Sequence, residues 1–305
     1  MEPVAGVGRR LFARLRQRSA AHFIAPIGVG LALCAPSFVS GGSVAPTPLP
    51  TSILGAPQLV DEFDGPAGSA PGPGWVQQTG GGKWGSGEIE TYTSSRQNSY
   101  LDGAGHLVIV IQPNTKPHAL FPYTSARLTS KTAVGPYFRA EVRMKVPTAI
   151  GLWPNFWFLG GTVADPDWPH QGEIDVGEVI GRLPTTTFAT PHGYSDDPQT
   201  QPVAHVWHLP TQYETHEPIS DAFHTWAVDV LPNLITWTFD GTPIKTFTKA
   251  QLPPGAHWSF GYKMHAILDI AAGGFFAGAP EPSTVFPQKM IVDYVRVESL
   301  TPGAS

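Results

Sequence analysis

The 305-residue sequence contains a single cysteine, Cys34, so a framework of intrachain disulfides is excluded as a source of stability. Charged residues make up only 14% of the chain, against about 25% in an average protein. So few charges, with 41% hydrophobic residues, disfavour a disordered chain and also a coiled coil or helical bundle. The formal net charge of −5 argues against nucleic acid as a partner, because phosphate binding needs an excess of Lys and Arg.

Turn formers and aromatic residues are abundant instead. The chain has 33 Gly, 32 Pro and nine Trp, and we find neither an internal repeat nor a glycine-rich phosphate loop. Short runs that alternate apolar and polar residues, such as His106–Gln112, Tyr137–Val146 and Met290–Val297, are typical of half-buried strands. We therefore predict an all-β fold, a β-sandwich of the jelly-roll type.

The first 50 residues differ from the rest of the chain. Five arginines between Arg9 and Arg18 precede an apolar run, Phe23–Val39, that is short for a membrane span and interrupted by Gly and Pro. This order predicts a secretory signal, and the pair Arg9-Arg10 leaves both the general and the twin-arginine export routes open. The predicted organisation is a signal peptide at 1–42, a linker at 43–56, a single domain at 57–299 and a tail at 300–305.

Removal of the signal would have simple consequences for the mature protein. Residues 1–50 carry five Arg, one Glu and Cys34, so their loss lowers the formal net charge to −9 and removes the cysteine. We expect a secreted, extracellular monomer that makes no contact with a membrane after the signal is removed. Its stability must come from a large apolar core, which some 250 residues can supply.

Three carboxylates lie within six residues in the segment Glu173-Ile-Asp175-Val-Gly-Glu178. Alternate residues of a strand share a face, so Glu173 and Asp175 point the same way. Glu178 is out of phase unless a one-residue β-bulge forms near Val176 and Gly177, and glycine tolerates such a distortion. With that bulge, the three acids line one face of the strand.

Clustered carboxylates raise one another's pKa, so one can be protonated while another is ionised. Cleavage of a glycosidic bond needs this combination, and the spacing along a strand fits a retaining mechanism better than an inverting one. Two alternatives stay open on spacing alone, a calcium site and an acidic strand face in contact with solvent.

The segment resembles the Glu-X-Asp-X-X-Glu signature of family 16 glycoside hydrolases of the laminarinase type. Further stretches in the same order resemble that family: Tyr123–Arg127, Gly151–Gly160, Phe223–Val228 and Ile291–Val297. The resemblance implies a jelly roll with a concave substrate cleft, and retaining endo-hydrolysis of β-1,3-glucan or mixed β-1,3/1,4-glucan.

The resemblance also assigns the acids and marks departures. It implies that Glu173 is the nucleophile, that Glu178 is the general acid and then the base, and that Asp175 orients Glu173. Gly177 stands where the family usually has Met or another large apolar residue, so we expect packing behind the acids to be missing. The segment after Trp84 lacks an Asn pair that the family often has, and Asp269 occupies a place often held by Asn.

Six residues are candidates for sugar binding: Trp84, Arg127, Trp153, Trp157, Trp168 and His192. Indole rings stack on the apolar faces of sugar rings, and Arg or His can bind hydroxyl groups. The alternatives are core packing for the tryptophans, an ion pair for Arg127 and a structural hydrogen bond for His192. Trp153 and Trp157 share a strand face with Asn155, a poor core residue, which favours the cleft.

No cofactor is expected for catalysis. The resemblance implies a structural Ca²⁺ held by the Asp293 carboxylate and by backbone carbonyls near Glu62 and Gly105. Zinc is disfavoured at His205, His208, His216 and His224, because their spacing is irregular. The expected partner is a β-glucan polysaccharide. Three other functions on the same scaffold are considered: a non-catalytic β-glucan-binding protein, a transglycosylase and a hydrolase of sulfated galactans.

Overall fold

The computed structural model describes residues 52–82, 84–199 and 205–302. In this part of the chain nearly all regular structure is β-strand. The exceptions are two 3₁₀ turns, Ile219–Asp221 and Lys249–Gln251, and a four-residue helix, Gly274–Ala277. The strands are β1 Ser52–Asp61, β2 Trp75–Gln78, β3 Gly80–Gly81, β4 Glu90–Tyr92, β5 Ser99–Leu101, β6 Leu107–Pro113, β7 Tyr123–Ser125, β8 Arg127–Ser130, β9 Phe138–Lys145, β10 Leu152–Gly160, β11 Glu173–Val179, β12 Thr186–Tyr194, β13 Val206–His208, β14 Thr211–Glu214, β15 His224–Leu231, β16 Leu234–Phe239, β17 Thr242–Thr248, β18 Met264–Ala272 and β19 Gln288–Pro302.

The strands form two sheets. The eleven-stranded sheet has the order β17-β16-β15-β9-β19-β6-β7-β4-β3, with β1 on β19 and β5 on β6. The eight-stranded sheet has the order β13-β12-β11-β10-β18-β8-β2, with β14 on β12. Pairing is antiparallel except between β4 and β7. The predicted all-β sandwich is confirmed.

The two sheets share one apolar core. Strand β9 shows how the sequence builds it, since Phe138, Ala140, Val142 and Met144 are buried and alternate with charged residues that face outward. Phe138 meets Phe158 of the other sheet with ring centroids 4.8 Å apart. Burying one such side chain contributes about 1.5–3 kcal/mol, so the interlocking rings hold the sheets face to face.

The middle of the eight-stranded sheet is buried on both faces. All nine residues of β18 are buried, although the strand contains the polar residues His265 and Asp269. On β11, Ile174, Val176 and Val179 enter the shared core. The opposite face of these strands therefore carries buried polar groups, which must find hydrogen-bond partners there.

Both ends of the predicted domain need correction. The predicted linker at 43–56 and the predicted tail at 300–305 overlap a strand pair, because Ser52 of β1 lies opposite Pro302 of β19. The fifteen-residue strand β19 extends far enough to give β1 a partner, and irregularities at Pro57 accommodate the Pro and Gly that suggested a linker. The predicted signal peptide at 1–42 lies outside the described residues.

Within the residues that the structure describes, no helix is long and apolar enough to cross a membrane.

Candidate active site

A β-bulge in β11 brings the three acids onto one face. Asp175 lies opposite Thr190 of β12, and Glu178 lies opposite Phe188, so β11 advances three residues while β12 advances two. The pairing of β10 with β11 shows the same irregularity. Phe156 lies opposite Gly177, and the next residue, Trp157, lies opposite Asp175. The predicted bulge near Val176 and Gly177 is confirmed. Because one residue is added, Glu178 returns to the face that carries Glu173 and Asp175.

Gly177 is closely packed, contrary to the expectation that packing behind the acids is missing. A Cβ atom at this position would lie 2.7 Å from Cε of Met144 and 3.0 Å from Cγ of Trp226. These side chains come from β9 and β15 of the other sheet. They fill the space that a larger side chain at position 177 would occupy. The bulge is thus held from behind, and only glycine fits there without a shift of its neighbours.

Neutral and imidazole groups hold the acids in place. Trp153 donates from Nε1 to Oε1 of Glu178 at 3.0 Å, and Asn155 donates from Nδ2 to Oδ1 of Asp175 at 3.1 Å. His192 Nε2 lies 2.9 Å from Oδ2 of Asp175 and 3.7 Å from Oε1 of Glu173. The contacts come from the neighbouring strands β10 and β12, so the sheet itself sets the spacing of the acids.

The remaining candidates near the acids also make contacts there. Trp168, in the turn before β11, is 38% exposed and donates a hydrogen bond to Glu173. Thr190 donates from Oγ1 to Oε2 of Glu178 at 3.5 Å. Sequence reasoning placed Trp153, Trp168 and His192 near the acids. It missed Thr190, because only the register of β12 with β11 identifies that residue.

The surroundings of Glu173 and Glu178 raise the pKa of both side chains. Burial raises the pKa of Glu178 well above its ordinary value, and the charges of Asp175 and Glu173 raise it further. Burial also raises the pKa of Glu173, to about 7, although the positive charge of His192 opposes the rise. Near neutral pH the site can therefore hold Glu173 ionised and Glu178 protonated.

A row of polar residues crosses five strands on the same face. From one side to the other it consists of Gln78, Arg127, Asp269, Asn155 and Glu178, each directly opposite the next on the adjacent strand. Adjacent strands lie about 4.8 Å apart, so Arg127 stands about 14 Å from Glu178 at the backbone. This row of polar residues, called the groove below, runs across the strands and away from the acids.

Arg127 forms a second polar cluster at the far end of this row. Its Nη1 donates to Oδ2 of Asp269 at 3.2 Å, and its Nε donates to Oε1 of Gln78 at 2.8 Å. Its guanidinium lies over the rings of Trp157 and Trp84, 4.5 and 4.9 Å from their centroids. The predicted residues Trp84, Arg127 and Trp157 therefore come together, whereas the other three predicted residues stand around the acids.

Sequence reasoning missed Glu90 and Tyr92 beside this cluster. Tyr92 donates from its hydroxyl to Oδ2 of Asp269 at 3.1 Å. Glu90 accepts the Ala272 N–H at 2.7 Å, and burial raises the pKa of Glu90 to about 8. The one available signal was the alternation of Glu88, Glu90 and Tyr92 in a chain with few charges.

One group near the acids could hold a metal ion. Ligand atoms of Glu173, Asp175 and His192 all lie within 4.8 Å of one another. Because two of these residues already contact each other, a metal would compete with the His192–Asp175 contact. The chemistry considered below needs no metal at this place.

The calcium expected at Asp293, Glu62 and Gly105 stays a prediction. One oxygen of the Asp293 carboxylate forms an ion pair with Arg143. Glu62 extends its side chain to Arg296, at 2.7 and 2.8 Å. A Cβ atom on Gly105 would lie 3.9 Å from the Glu62 carbonyl oxygen, so these two residues do approach each other. Calcium enters no step below.

The fold and this site define a class of protein that the comparisons identify. The family profile for glycosyl hydrolases family 16 matches residues 88–296, and the chain belongs to that family. The resemblance drawn from the sequence is thus confirmed.

Individual relatives agree with the family. The "Beta-glucanase" of Rhodothermus marinus is 34% identical over 250 residues, which cover 78% of this chain and 82% of the relative. The "Glucan endo-1,3-beta-glucosidase A1" of Niallia circulans is 31% identical over 70% of this chain, and the match spans 32% of that longer protein. The solved endo-β-1,3-glucanase of Pyrococcus furiosus has a TM-score of 0.70 and 34% identity, with 84% of this chain and all of that chain covered. These matches confirm the predicted jelly-roll architecture.

Proposed function

We propose that the protein is a retaining endo-β-glucanase that hydrolyses β-1,3-glucan or mixed β-1,3/1,4-glucan. The observation that carries this proposal is the bulge in β11, which lines up Glu173, Asp175 and Glu178 on one face of a polar groove. The similarity to proteins named as β-glucanases supports the choice of a β-glucan as substrate. The aromatic groups along the groove, among them Trp84 and Trp157, suit the apolar faces of glucose rings.

In the first step, an oxygen of the Glu173 carboxylate attacks the anomeric carbon as the glycosidic C–O bond breaks. Glu178 gives its proton to the departing oxygen, so the leaving chain departs as a neutral alcohol. The product is an ester between Glu173 and the sugar. The high pKa of Glu178 keeps the required proton in place, and Trp153 holds its carboxyl group.

In the second step, Glu178 is ionised and takes a proton from a water molecule. The water oxygen attacks the anomeric carbon, and the ester bond to Glu173 breaks. Glu173 is released as a carboxylate and Glu178 is protonated again, so both groups return to their starting states. Two inversions at one carbon give net retention. Asp175, held by Asn155 and His192, positions Glu173 and raises the pKa of Glu178.

Export and monomeric state belong to the same proposal. The arginine-rich start of the sequence and its apolar run support a signal peptide at 1–42, and a β-glucan polymer is an extracellular substrate. Amino-terminal sequencing of protein from the culture medium, and its elution volume from a sizing column, test these two statements.

The decisive experiment incubates the purified protein with laminarin, lichenan, agarose and carrageenan, and follows product size and anomeric configuration by NMR. We expect laminarin or lichenan to release a range of oligosaccharides, with β-anomers formed first. Release of α-anomers first would contradict the retaining mechanism. Binding of laminarin without release would favour a glucan-binding protein, and products longer than the donor would favour a transglycosylase.

A further inference from the structure

We propose that Asp269 is a specificity-determining residue that neutralises Arg127 and so restricts this end of the groove to uncharged polysaccharide. The inference rests on the proposed function, since it concerns the substrate of the same site. It assigns to Asp269 a role in choosing between neutral and anionic β-glucans.

The position of Asp269 places its charge in the groove. It stands between Arg127 and Asn155 in the polar row, two strands away from Glu178. Its side chain accepts hydrogen bonds from Nη1 of Arg127, from Nε1 of Trp157 and from the Tyr92 hydroxyl, at 3.2, 3.1 and 3.1 Å. Burial raises the pKa of Asp269, while the Arg127 cation and the donors Trp157 and Tyr92 act in the opposite direction and favour the ionised carboxylate.

Arg127 and Asp269 are both buried, which strengthens the interaction between their charges. Arg127 is 8% exposed and Asp269 is 5% exposed, so neither charge is screened by bulk solvent. A buried guanidinium without an anion would attract a sulfate or carboxylate on the substrate, because charge-assisted hydrogen bonds are among the strongest in proteins. With Asp269 beside it, Arg127 has its anion already, and an anionic sugar would meet the Asp269 carboxylate as well.

Arg127 nevertheless keeps donors for neutral hydroxyl groups. A guanidinium has five N–H donors, and the bonds to Gln78 and Asp269 use two of them. The guanidinium also lies over the rings of Trp84 and Trp157. The cluster therefore combines a fixed hydrogen-bond donor with aromatic groups, and Asp269 offsets the charge of Arg127, which fits a neutral glucan.

The test compares kcat/KM on laminarin with kcat/KM on laminarin carrying a low degree of sulfation, at low and at high salt. For each variant the ratio of the sulfated to the neutral value is the readout. We expect Asp269→Asn, which keeps the shape and frees the charge of Arg127, to raise this ratio at least about tenfold at low salt. High salt should reduce the gain only in part, because Arg127 is buried and its charge is screened less than an exposed one.

Two further variants make the charge argument specific. Arg127→Gln leaves the Asp269 carboxylate without its cation and should lower the ratio. The double variant Arg127→Gln with Asp269→Asn has neither charge and should return close to the wild-type ratio, which loss of structure alone would not produce. The matched control is Asp229→Asn, because Asp229 is also bound to an arginine, Arg139 at 2.8 Å, but lies on β15 of the other sheet.

The outcomes separate this inference from the function on which it rests. An unchanged ratio in Asp269→Asn, or an equal rise in Asp229→Asn, would overturn the role of Asp269 while leaving laminarin hydrolysis in place. Wild-type protein that cleaves neither polymer would overturn the proposed function instead. Thermal melts accompany each variant, and if Asp269→Asn does not fold, an unchanged ratio in Arg127→Gln overturns the inference.

Discussion

The carboxylates on the two sheets of the sandwich have different partners. On the eleven-stranded sheet, Glu141 and Asp229 bind Arg139, and Asp293 binds Arg143, all at the partly exposed surface. Around the bulge of the eight-stranded sheet, Asp175 and Glu178 are buried and accept hydrogen bonds from an indole, an amide and an imidazole. A guanidinium fixes a carboxylate in its ionised form, whereas neutral donors orient it and allow it to change protonation.

This contrast explains where the molecule can do acid–base chemistry. The surface pairs join an arginine to a partly exposed carboxylate and add little stability. Burial raises the pKa of Glu173 and of Glu178, the neighbouring acidic charges raise both further, and a proton can be held near neutral pH. The Arg127–Asp269 pair resembles the surface pairs in composition but is buried in the groove, where we expect it to select substrate rather than exchange protons.

The largest difference in activity is expected between two variants that each lose one carboxylate, one on each sheet. Glu173→Gln deletes the proposed nucleophile, and we expect kcat/KM on laminarin to fall about 10⁴-fold or more. Glu141→Gln makes the same chemical change on β9, and its activity should stay within about twofold of wild type. Steady-state assays on both variants measure this. Residual activity of Glu173→Gln near the wild-type level would remove Glu173 from the nucleophile role.

The second prediction concerns the proton donor. Glu178→Ala should lower kcat/KM on laminarin by about 10²–10⁴-fold, because the leaving oxygen loses its proton source. A substrate with a good leaving group needs less help, and added azide should then trap the ester on Glu173 as a β-glycosyl azide. The control is Glu173→Ala, for which azide replaces the nucleophile and the product should have the α configuration. A glycosyl azide of the same configuration from both variants would contradict the assignment of Glu173 as nucleophile and Glu178 as acid.

The pH dependence gives a third test of the buried acids. Activity needs Glu173 ionised, which sets the acidic limb of the profile, and Glu178 protonated, which sets the alkaline limb. The charge of Asp175 raises both pKa values, so Asp175→Asn should move both limbs to lower pH. Because the groups interact, the limbs report the pair rather than single residues. Asp229→Asn should leave both limbs in place, and limbs that stay fixed in Asp175→Asn would show that its charge does not act on the glutamates.

The fourth prediction concerns how the sheets fit together behind the bulge. Gly177→Ala would place a Cβ atom 2.7 Å from Met144, and we expect a loss of about 1–3 kcal/mol in the free energy of unfolding, with lower activity. Gly74→Ala is the control, since its Cβ would meet nothing within 4 Å, and its effect should be within about 0.5 kcal/mol. Chemical denaturation measures both. Equal stability of the two variants would mean that the bulge is not held by the facing sheet.

Local features of the site were predictable from the sequence, and distant ones were not. Glu173, Asp175 and Glu178 are neighbours in the chain, so strand alternation and one bulge suffice to bring them onto one face. The Arg127 cluster joins residues 49 and 142 positions apart, and nothing in the sequence gives the register between β2, β8 and β18. The packing on Gly177 was missed for the same reason, since Met144 and Trp226 belong to the other sheet.

The fold was predictable to the same extent. Alternation in β9 and β19 and the many turn residues indicate a sandwich. The first half of strand β1, residues 52–56, was predicted as part of a linker from its local composition, whereas the strand forms by pairing with β19 at the opposite end of the chain. Long-range pairing of this kind leaves no local signal in either strand.

The smallest expected effect comes from removing a surface ion pair. It tests whether charges on the eleven-stranded sheet are separate from the chemistry of the buried acids. Arg296 binds Glu62 through two bonds of 2.7 and 2.8 Å, but both side chains are more than 40% exposed. Arg296→Gln should therefore cost only about 0.2–1 kcal/mol of unfolding free energy, less at high salt, and should leave kcat/KM on laminarin unchanged. Arg139→Gln is the matched variant, because Arg139 is less exposed and binds two acids, so it should cost more. A fall in activity for either variant would mean that charges on the eleven-stranded sheet act on the groove, and the separation of roles between the two sheets would fail.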